Sequence, residues 1–211
     1  MDILNKIKKP IFINSYSYIP KGENTTIDDF IINKEQQILK SIKSCVPLFC
    51  LNNISISYED IIIKYDFILI TTKFIKILDS KSLLQDMKIT ANGDFLKLPN
   101  NVVEISPIEK NNYKSVVLRK ILINNNLLNS NIINSNIISS KEKNLELTNS
   151  PISIARNIID IESIPEVIRD DLENYKNSKG VSLKNMRKIG SLFIEINKSS
   201  NIDEIASTKT I

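Results

Sequence analysis

Histidine is absent from all 211 residues, and the chain holds only four glycines, four arginines and three alanines. Each shortage excludes chemistry. Imidazole is the side chain that titrates near neutral pH, and it is the commonest protein metal ligand. Without it the chain can write no Ser-His-Asp triad, no Cys-His pair, no HExxH zinc helix and no Cys2His2 finger. Gly22, Gly93, Gly180 and Gly190 are scattered, so neither GxGxxG nor GxxxxGK[ST] occurs. The two cysteines, Cys45 and Cys50, enclose Val46-Pro47-Leu48-Phe49. That spacing is not CxxC and the filling is apolar, which predicts buried hydrophobic thiols rather than a disulfide scaffold or a zinc site. Composition therefore specifies no cofactor and no metal cluster.

What is present is 41 Ile, 26 Asn and 24 Lys. The favoured residues use codons rich in A and T and the avoided ones use codons rich in G and C. This implies an AT-rich genome, such as that of a virus, a phage, a parasite or a reduced bacterium. In such a chain Ile is weaker evidence for a strand, and Asn weaker evidence for a turn, than usual. Hydrophobic content of 42% is enough for a core, and 25% charged residues with a net charge of +4 is a mildly basic, ordinary surface. Met1 to Pro10 carries Asp2, Lys6, Lys8 and Lys9 with no apolar run behind it, so it is not a secretory signal. The most apolar stretch, Tyr65 to Ile77, is broken by Asp66, Thr71, Thr72, Lys73 and Lys76 and is too short to span a bilayer. The expectation is a soluble, intracellular, cytoplasmic protein, in the host cytoplasm if the source is viral.

Along the chain, Ile11-Phe12-Ile13 and Tyr16 to Ile19 suggest a short strand. Thr26-Ile27-Asp28-Asp29 has the form of a capping box, and Ile27, Phe30, Ile31, Ile38, Leu39 and Ile42 recur at helical spacing. A helix is predicted from about 27 to 43. Alternating or continuous apolar runs follow from Ile54 to Ile77, at least one of them a strand buried on both faces. Asn92-Gly93 between Met87–Thr90 and Asp94–Leu98 predicts a hairpin with both turn residues at positive φ. Val102–Ile105 and Val116–Ile123 read as two more strands, the first kept near an edge by Pro107. Residues 124–149 are of low complexity. Asn129-Ser130-Asn131-Ile132-Ile133 repeats directly as Asn134 to Ile138, which reads as replication slippage in a linker whose Ile pairs could add an edge strand. Beyond it, three helices are predicted: a short one from Ser150-Pro151, one from Ser163 with the stripe Ile164, Ile168, Leu172, Tyr175, and one from Ser182 with Leu183, Met186, Ile189, Phe193, Ile196.

Three sets of residues could carry function. The second C-terminal helix is acidic and the third basic, which predicts an antiparallel helical hairpin with complementary faces. The alternative is that Lys176, Lys179, Lys184, Arg187 and Lys188 meet nucleic-acid phosphates; lysine attracts phosphate but reads few bases, so such binding would be non-specific and salt-sensitive. The tyrosines and phenylalanines of the strand region read as core, since no RNP1-like string is present. The third set is Asp66, in an apolar strand, followed by Asp79-Ser80-Lys81 at the end of the next. An Asp, then an acidic residue and a lysine two apart on adjacent strands, loosely resembles metal-dependent nucleases of the PD-(D/E)xK type. The resemblance covers only these positions. It implies two carboxylates holding Mg²⁺ and a lysine that orients or polarises a water. Tyr65 rather than Pro precedes Asp66, and no preceding acidic helix is evident.

The fold expected is α+β: an N-terminal helix, a mainly antiparallel sheet over about 50–123, a polar linker and a small helical C-terminal region. The corresponding units are 1–123, 124–149, 150–198 and a flexible tail at 199–211. Viral matrix-like and movement proteins share that outline as architecture alone. The function expected is a non-enzymatic structural or protein-interaction protein, with a protein partner or self-association. A non-specific RNA or single-stranded DNA binder and a Mg²⁺-dependent nuclease are the alternatives. No small-molecule site is evident.

Overall fold

The isoleucine-rich run of residues 49–79 forms the middle of a six-stranded sheet. In a computed structural model describing residues 11–14, 25–43, 45, 48–80, 83, 86–127, 132–139, 145–147 and 150–208, β2 (Phe49–Tyr58), β3 (Ile61–Ile70) and β4 (Phe74–Asp79) make an antiparallel meander. Glu59 and Asp60, both at positive φ, close the first turn as two-residue hairpins require. Thr71 closes the second: its hydroxyl accepts from the Phe74 and Lys73 amides and donates to the Phe74 carbonyl. Every residue of β4 is buried, as expected of a strand covered on both faces.

The sheet order is β1-β2-β3-β4-β8-β10, with β1 at Ile11–Asn14, β8 at Ile132–Ser139 and β10 at Ile158–Asp160. β1 is parallel to β2, β8 to β4 and β10 to β8. Only β3 therefore opposes the other five strands. Within 50–123 every strand pairing is antiparallel, as expected, and the parallel pairings all involve a strand outside that span. The class is α+β with mixed sheets. A second sheet, ordered β7-β6-β5-β9, contains β5 (Met87–Ile89), β6 (Phe95–Lys97), β7 (Val102–Glu104) and β9 (Leu145–Glu146). The predicted hairpin is β5–β6. Its loop has three residues, so of Asn92 and Gly93 only Gly93 needs the left-handed region, at φ 90°.

Two further expectations are corrected. Val116–Ile123 is not a strand; it lies in α2 (Pro107–Asn124). Ser106 accepts a hydrogen bond from the Glu109 amide and Pro107 occupies the first turn, so Ser106-Pro107-Ile108-Glu109 is itself a capping box. Val117, Leu118, Ile121 and Leu122 are buried at helical spacing, which overrides the strand propensity of the two valines. Residues 132–139, read as part of a linker, form β8. It sits between β4 and β10 because its Ile137 and Ile138 find apolar cover on both faces of the sheet.

Helices cover both faces. α1 (Thr25–Lys43) and α4 (Ile164–Asn174) bury Ile38, Ile42, Ile164 and Ile168 against Phe67, Leu69, Phe74 and Leu78. α2 and α5 (Leu183–Thr208) bury Leu118, Leu122, Met186, Ile189 and Phe193 against Ile54, Ile56, Ile75 and Ile77. The short α3 is Ile152–Ala155. The apolar stripes predicted for α4 and α5 are real, but the two helices do not form a hairpin. They lie on opposite faces of the sheet, since each stripe finds a larger apolar surface there than on its neighbour. Residues 199–208, expected as a frayed tail, continue α5. A third cluster, Leu83, Met87, Ile89, Phe95 and Ile137, joins the small sheet to β8. Cys50 is buried and Cys45 half-buried, both as free thiols. Burial first, then the charge of Cys45, pushes the Cys50 thiol far up, which makes it inert. Among the described residues no helix is long and apolar enough to cross a membrane.

A linker residue tolerates truncation and a core strand residue does not. Ile138→Ala is expected to cost about 2–5 kcal/mol, read from the urea midpoint at constant slope; an unchanged midpoint would remove β8 from the core.

Candidate polar centre at the carboxyl end of the sheet

Parallel β4 and β8 are joined through α2, so their carboxyl ends and the amino end of α2 lie on one side of the sheet. Asp79 is the last residue of β4. The last β3–β4 rung is Phe67 opposite Leu78, and Asp66 and Asp79 come next to it, one on each strand. The in-and-out alternation of β3 slips at this point. Tyr65 and Ile68 belong to the α2/α5 core, whereas Phe67 and Leu69 belong to the α1/α4 core. β2 slips on the same level: Leu51 and Ile54 share one face, with Asn53 between them at φ 52°. Asp66 thus sits where the sheet changes faces.

Both carboxylates are buried, Asp66 at 6% exposure and Asp79 at 3%. Oδ2 of Asp66 accepts from the Ser80 amide at 2.7 Å and from the Ser80 hydroxyl at 3.1 Å. Oδ2 of Asp79 accepts from Nζ of Lys114 on α2 at 3.3 Å. Nζ of Lys34, on α1 and only 3% exposed, donates to the carbonyls of Ser80 at 2.6 Å and Ile138 at 3.2 Å. One ammonium therefore enters from each helical layer. Tyr65 fixes the second: its hydroxyl donates to the Lys114 carbonyl at 3.0 Å, and its ring lies 5.8 Å beneath the Lys114 ammonium. The Tyr65 phenol is pushed up, first by burial and then by the charge of Tyr113.

Of the sequence candidates, Asp66 and Asp79 lie buried at the same end of the β3–β4 pair, Asp66 bonded to Ser80 and Asp79 to Lys114, and Lys81 lies outside the described residues. Lys34 and Lys114 were not singled out. Both interrupt apolar stripes: Lys34 lies one turn before Ile38, and Lys114 one turn before Leu118. A lysine in a buried stripe is the signal that would have found them. Asn111, one turn before Lys114, is a third interruption. It is fully buried, and neither amide atom has a partner. Among the described residues no three of His, Cys, Asp and Glu gather into a metal-holding group.

The basic set lies elsewhere. α5 begins beside the β3–β4 turn, where the Val181 amide donates to the Thr72 carbonyl, and rises along β2 until Asn197 accepts from the Ser55 amide. Lys184, Arg187 and Lys188 are exposed near its start, around a shallow hollow that also includes Glu195. They are at the opposite end of the sheet from Asp79. Lys176 pairs with Glu173, and Lys176 and Lys179 are exposed in the turn before α5.

A separate polar contact locks the other face. Lys76, 2% exposed, meets Asp171 of α4 at 2.8 Å and bonds Asn136 of β8. Burial lowers the Lys76 ammonium, and Asp171 opposes that shift. Asn134 also donates to Asp171 at 3.0 Å. This clamps α4 to β4 and β8.

Two measurements follow from these groups. Asp171→Ala strands a buried ammonium and is expected to cost about 3 kcal/mol in urea unfolding, whereas Lys76→Met with Asp171→Leu should cost much less. Tyr65 is raised in the folded state above its ordinary 10.0, so the stability it contributes is complete below pH 10 and is lost as pH rises above it. The urea midpoint of Tyr65→Phe should therefore fall less steeply than wild type above pH 10, by up to about 1.4 kcal/mol per pH unit.

Compared with protein-family models, curated proteins and solved structures, the chain matches none. What this centre can do follows from its own groups.

Proposed function

We propose that the protein is a divalent-cation-dependent nuclease whose centre is Asp66 and Asp79. The observation that carries this reading is their burial just beyond the last rung of adjacent antiparallel strands, at the carboxyl end of a parallel pair. That is the arrangement which the resemblance to PD-(D/E)xK nucleases calls for, and the carboxyl end is where open α/β sheets form ligand crevices. Buried like charges are costly, and apolar residues of similar size would serve a core better. Keeping two carboxylates with two lysines at one strand end points to chemistry.

The residues suit Mg²⁺ or Mn²⁺. Mg²⁺ uses one or two carboxylates and keeps several waters, so a pair without a third acid suffices. The unpartnered Asn111 amide adds a neutral oxygen donor on the adjoining turn of α2. When bound, the cation supplies Lewis acidity to a phosphate oxygen and acidifies water, tasks for which this chain has no imidazole. Asp66 and Asp79 hold that charge in place. Lys114, partly exposed, is positioned to neutralise a non-bridging phosphate oxygen, with Tyr65 holding its helix turn. Lys34 pins the ends of β4 and β8 through their carbonyls. Two aspartates and two lysines sum to zero, so a bound divalent ion leaves the centre positive towards a phosphodiester. Exposed Lys110, one turn before Lys114 on the same side of α2, adds positive charge beside it, which favours a polyanion over a small phosphate ester.

A protein-interaction role has one observation in its favour. β7 is the edge of the small sheet and carries Val103 at 71% exposure, with Ile105 at 67% just beyond it. Such a surface is compatible with an enzyme.

Single- and double-stranded DNA and RNA incubated with Mg²⁺ or Mn²⁺ should be cleaved, and EDTA should stop it. Asp66→Asn and Asp79→Asn should each lower the rate at least about 100-fold, with circular dichroism unchanged, and Lys114→Met about tenfold or more. Alanine at Lys184, Arg187 and Lys188 should leave the rate largely intact. Undiminished cleavage by Asp79→Asn, or no cleavage of any of these substrates by wild type, overturns the proposal.

A further inference from the structure

Asn111 sits badly for a structural residue. Its side chain is fully buried on the stripe of α2 that faces the sheet, between Pro107 and Leu118. Neither Oδ1 nor Nδ2 has a hydrogen-bond partner. A buried carboxamide left unsatisfied destabilises a fold, and an apolar residue of the same size would not. Its backbone carbonyl is used, accepting from the Ser115 hydroxyl at 2.9 Å, so the helix itself is regular there. The orphan atoms are in the side chain alone.

Its place in the fold lies towards the polar centre. α2 runs back along parallel β4 and β8, so moving towards its amino end moves past the carboxyl ends of those strands. Lys114 is level with Asp79, the last residue of β4. Asn111, one helical turn earlier, is therefore level with the chain just beyond β4, where Ser80 binds Asp66. The side of α2 that carries Lys114 into the centre carries Asn111 too.

We infer that Asn111 is a ligand-binding residue of this centre: its carboxamide oxygen completes the oxygen donor set of the divalent cation held by Asp66 and Asp79, and its NH₂ is left to donate to a phosphate oxygen. The inference rests on the cation reading above and adds a residue that neither the Asp-and-Asp-x-Lys pattern nor the charge pattern contains. An asparagine oxygen suits a hard cation, and being neutral it keeps the net positive charge on which phosphate attraction depends. Carboxylate at this position would cancel part of that charge.

Calorimetric titration with Mn²⁺ alone, without substrate, tests this. Wild type should bind, and Asp79→Asn should not. Asn111→Leu should weaken Mn²⁺ binding about tenfold or more, while raising the thermal midpoint of the metal-free protein because an unsatisfied amide is gone. Asn111→Asp should bind Mn²⁺ at least as tightly as wild type yet bind a non-cleavable oligonucleotide more weakly. The exposed neighbour Asn112→Ala should change neither. Wild-type affinity in Asn111→Leu overturns the inference and leaves the cation centre standing. Absence of Mn²⁺ binding in wild type overturns both.

Discussion

A buried carboxylate must be satisfied, and at the carboxyl end of β4 two of them, Asp66 and Asp79, are answered by Ser80 and Lys114. Lys34 comes from the helix layer on one face and Lys114 from the layer on the other, so each layer brings one ammonium to this end of the sheet. Each lysine also bonds or is braced by backbone: Lys34 through the carbonyls of Ser80 and Ile138, Lys114 through Tyr65. The electrostatic requirement of Asp66 and Asp79 thereby couples α1, α2, β3, β4 and β8. Apolar burial supplies most of the stabilisation, as in any sheet of this kind. The polar centre determines which parts must be present together.

The same division of labour recurs at mid-sheet. Lys76 and Asp171 use a single ion pair to fix α4 over β4, and Asn134 and Asn136 of β8 add hydrogen bonds to Asp171 and Lys76. Asparagine, abundant throughout this chain, is placed here as a working hydrogen-bonding residue. The opposite holds for isoleucine on α2 and α5, where any large aliphatic side chain would fill the space.

The class of fold was legible because apolar periodicity survives a biased alphabet. The stripes of α1, α4 and α5 and the buried run of β4 are visible in that way. Misreadings arose where the bias imitates a signal. Val116 and Val117 suggested strand, although Ser106-Pro107-Ile108-Glu109 already announced a helix. The Asn-Ser-Asn-Ile-Ile repeat suggested a linker, because Asn is taken for a turn residue and β8 alternates poorly. The antiparallel pairing within 50–123 was legible, whereas the parallel pairing of β4 and β8 was not, since it depends on the crossover through α2. In the polar centre, the two aspartates were visible by spacing, whereas Lys34, Lys114 and Asn111 become visible only once their helices are drawn and each is seen to occupy an apolar position.

The tandem five-residue units that end in β8 have a consequence for the length of the chain. The units are identical, so gain or loss of one still leaves Asn-Ser-Asn-Ile-Ile immediately before Ser139. The sides taken by Ile137 and Ile138, and the bonds of Asn134 and Asn136 to Asp171 and Lys76, are therefore kept. A change in copy number falls instead on the connection between α2 and β8, where added length costs little.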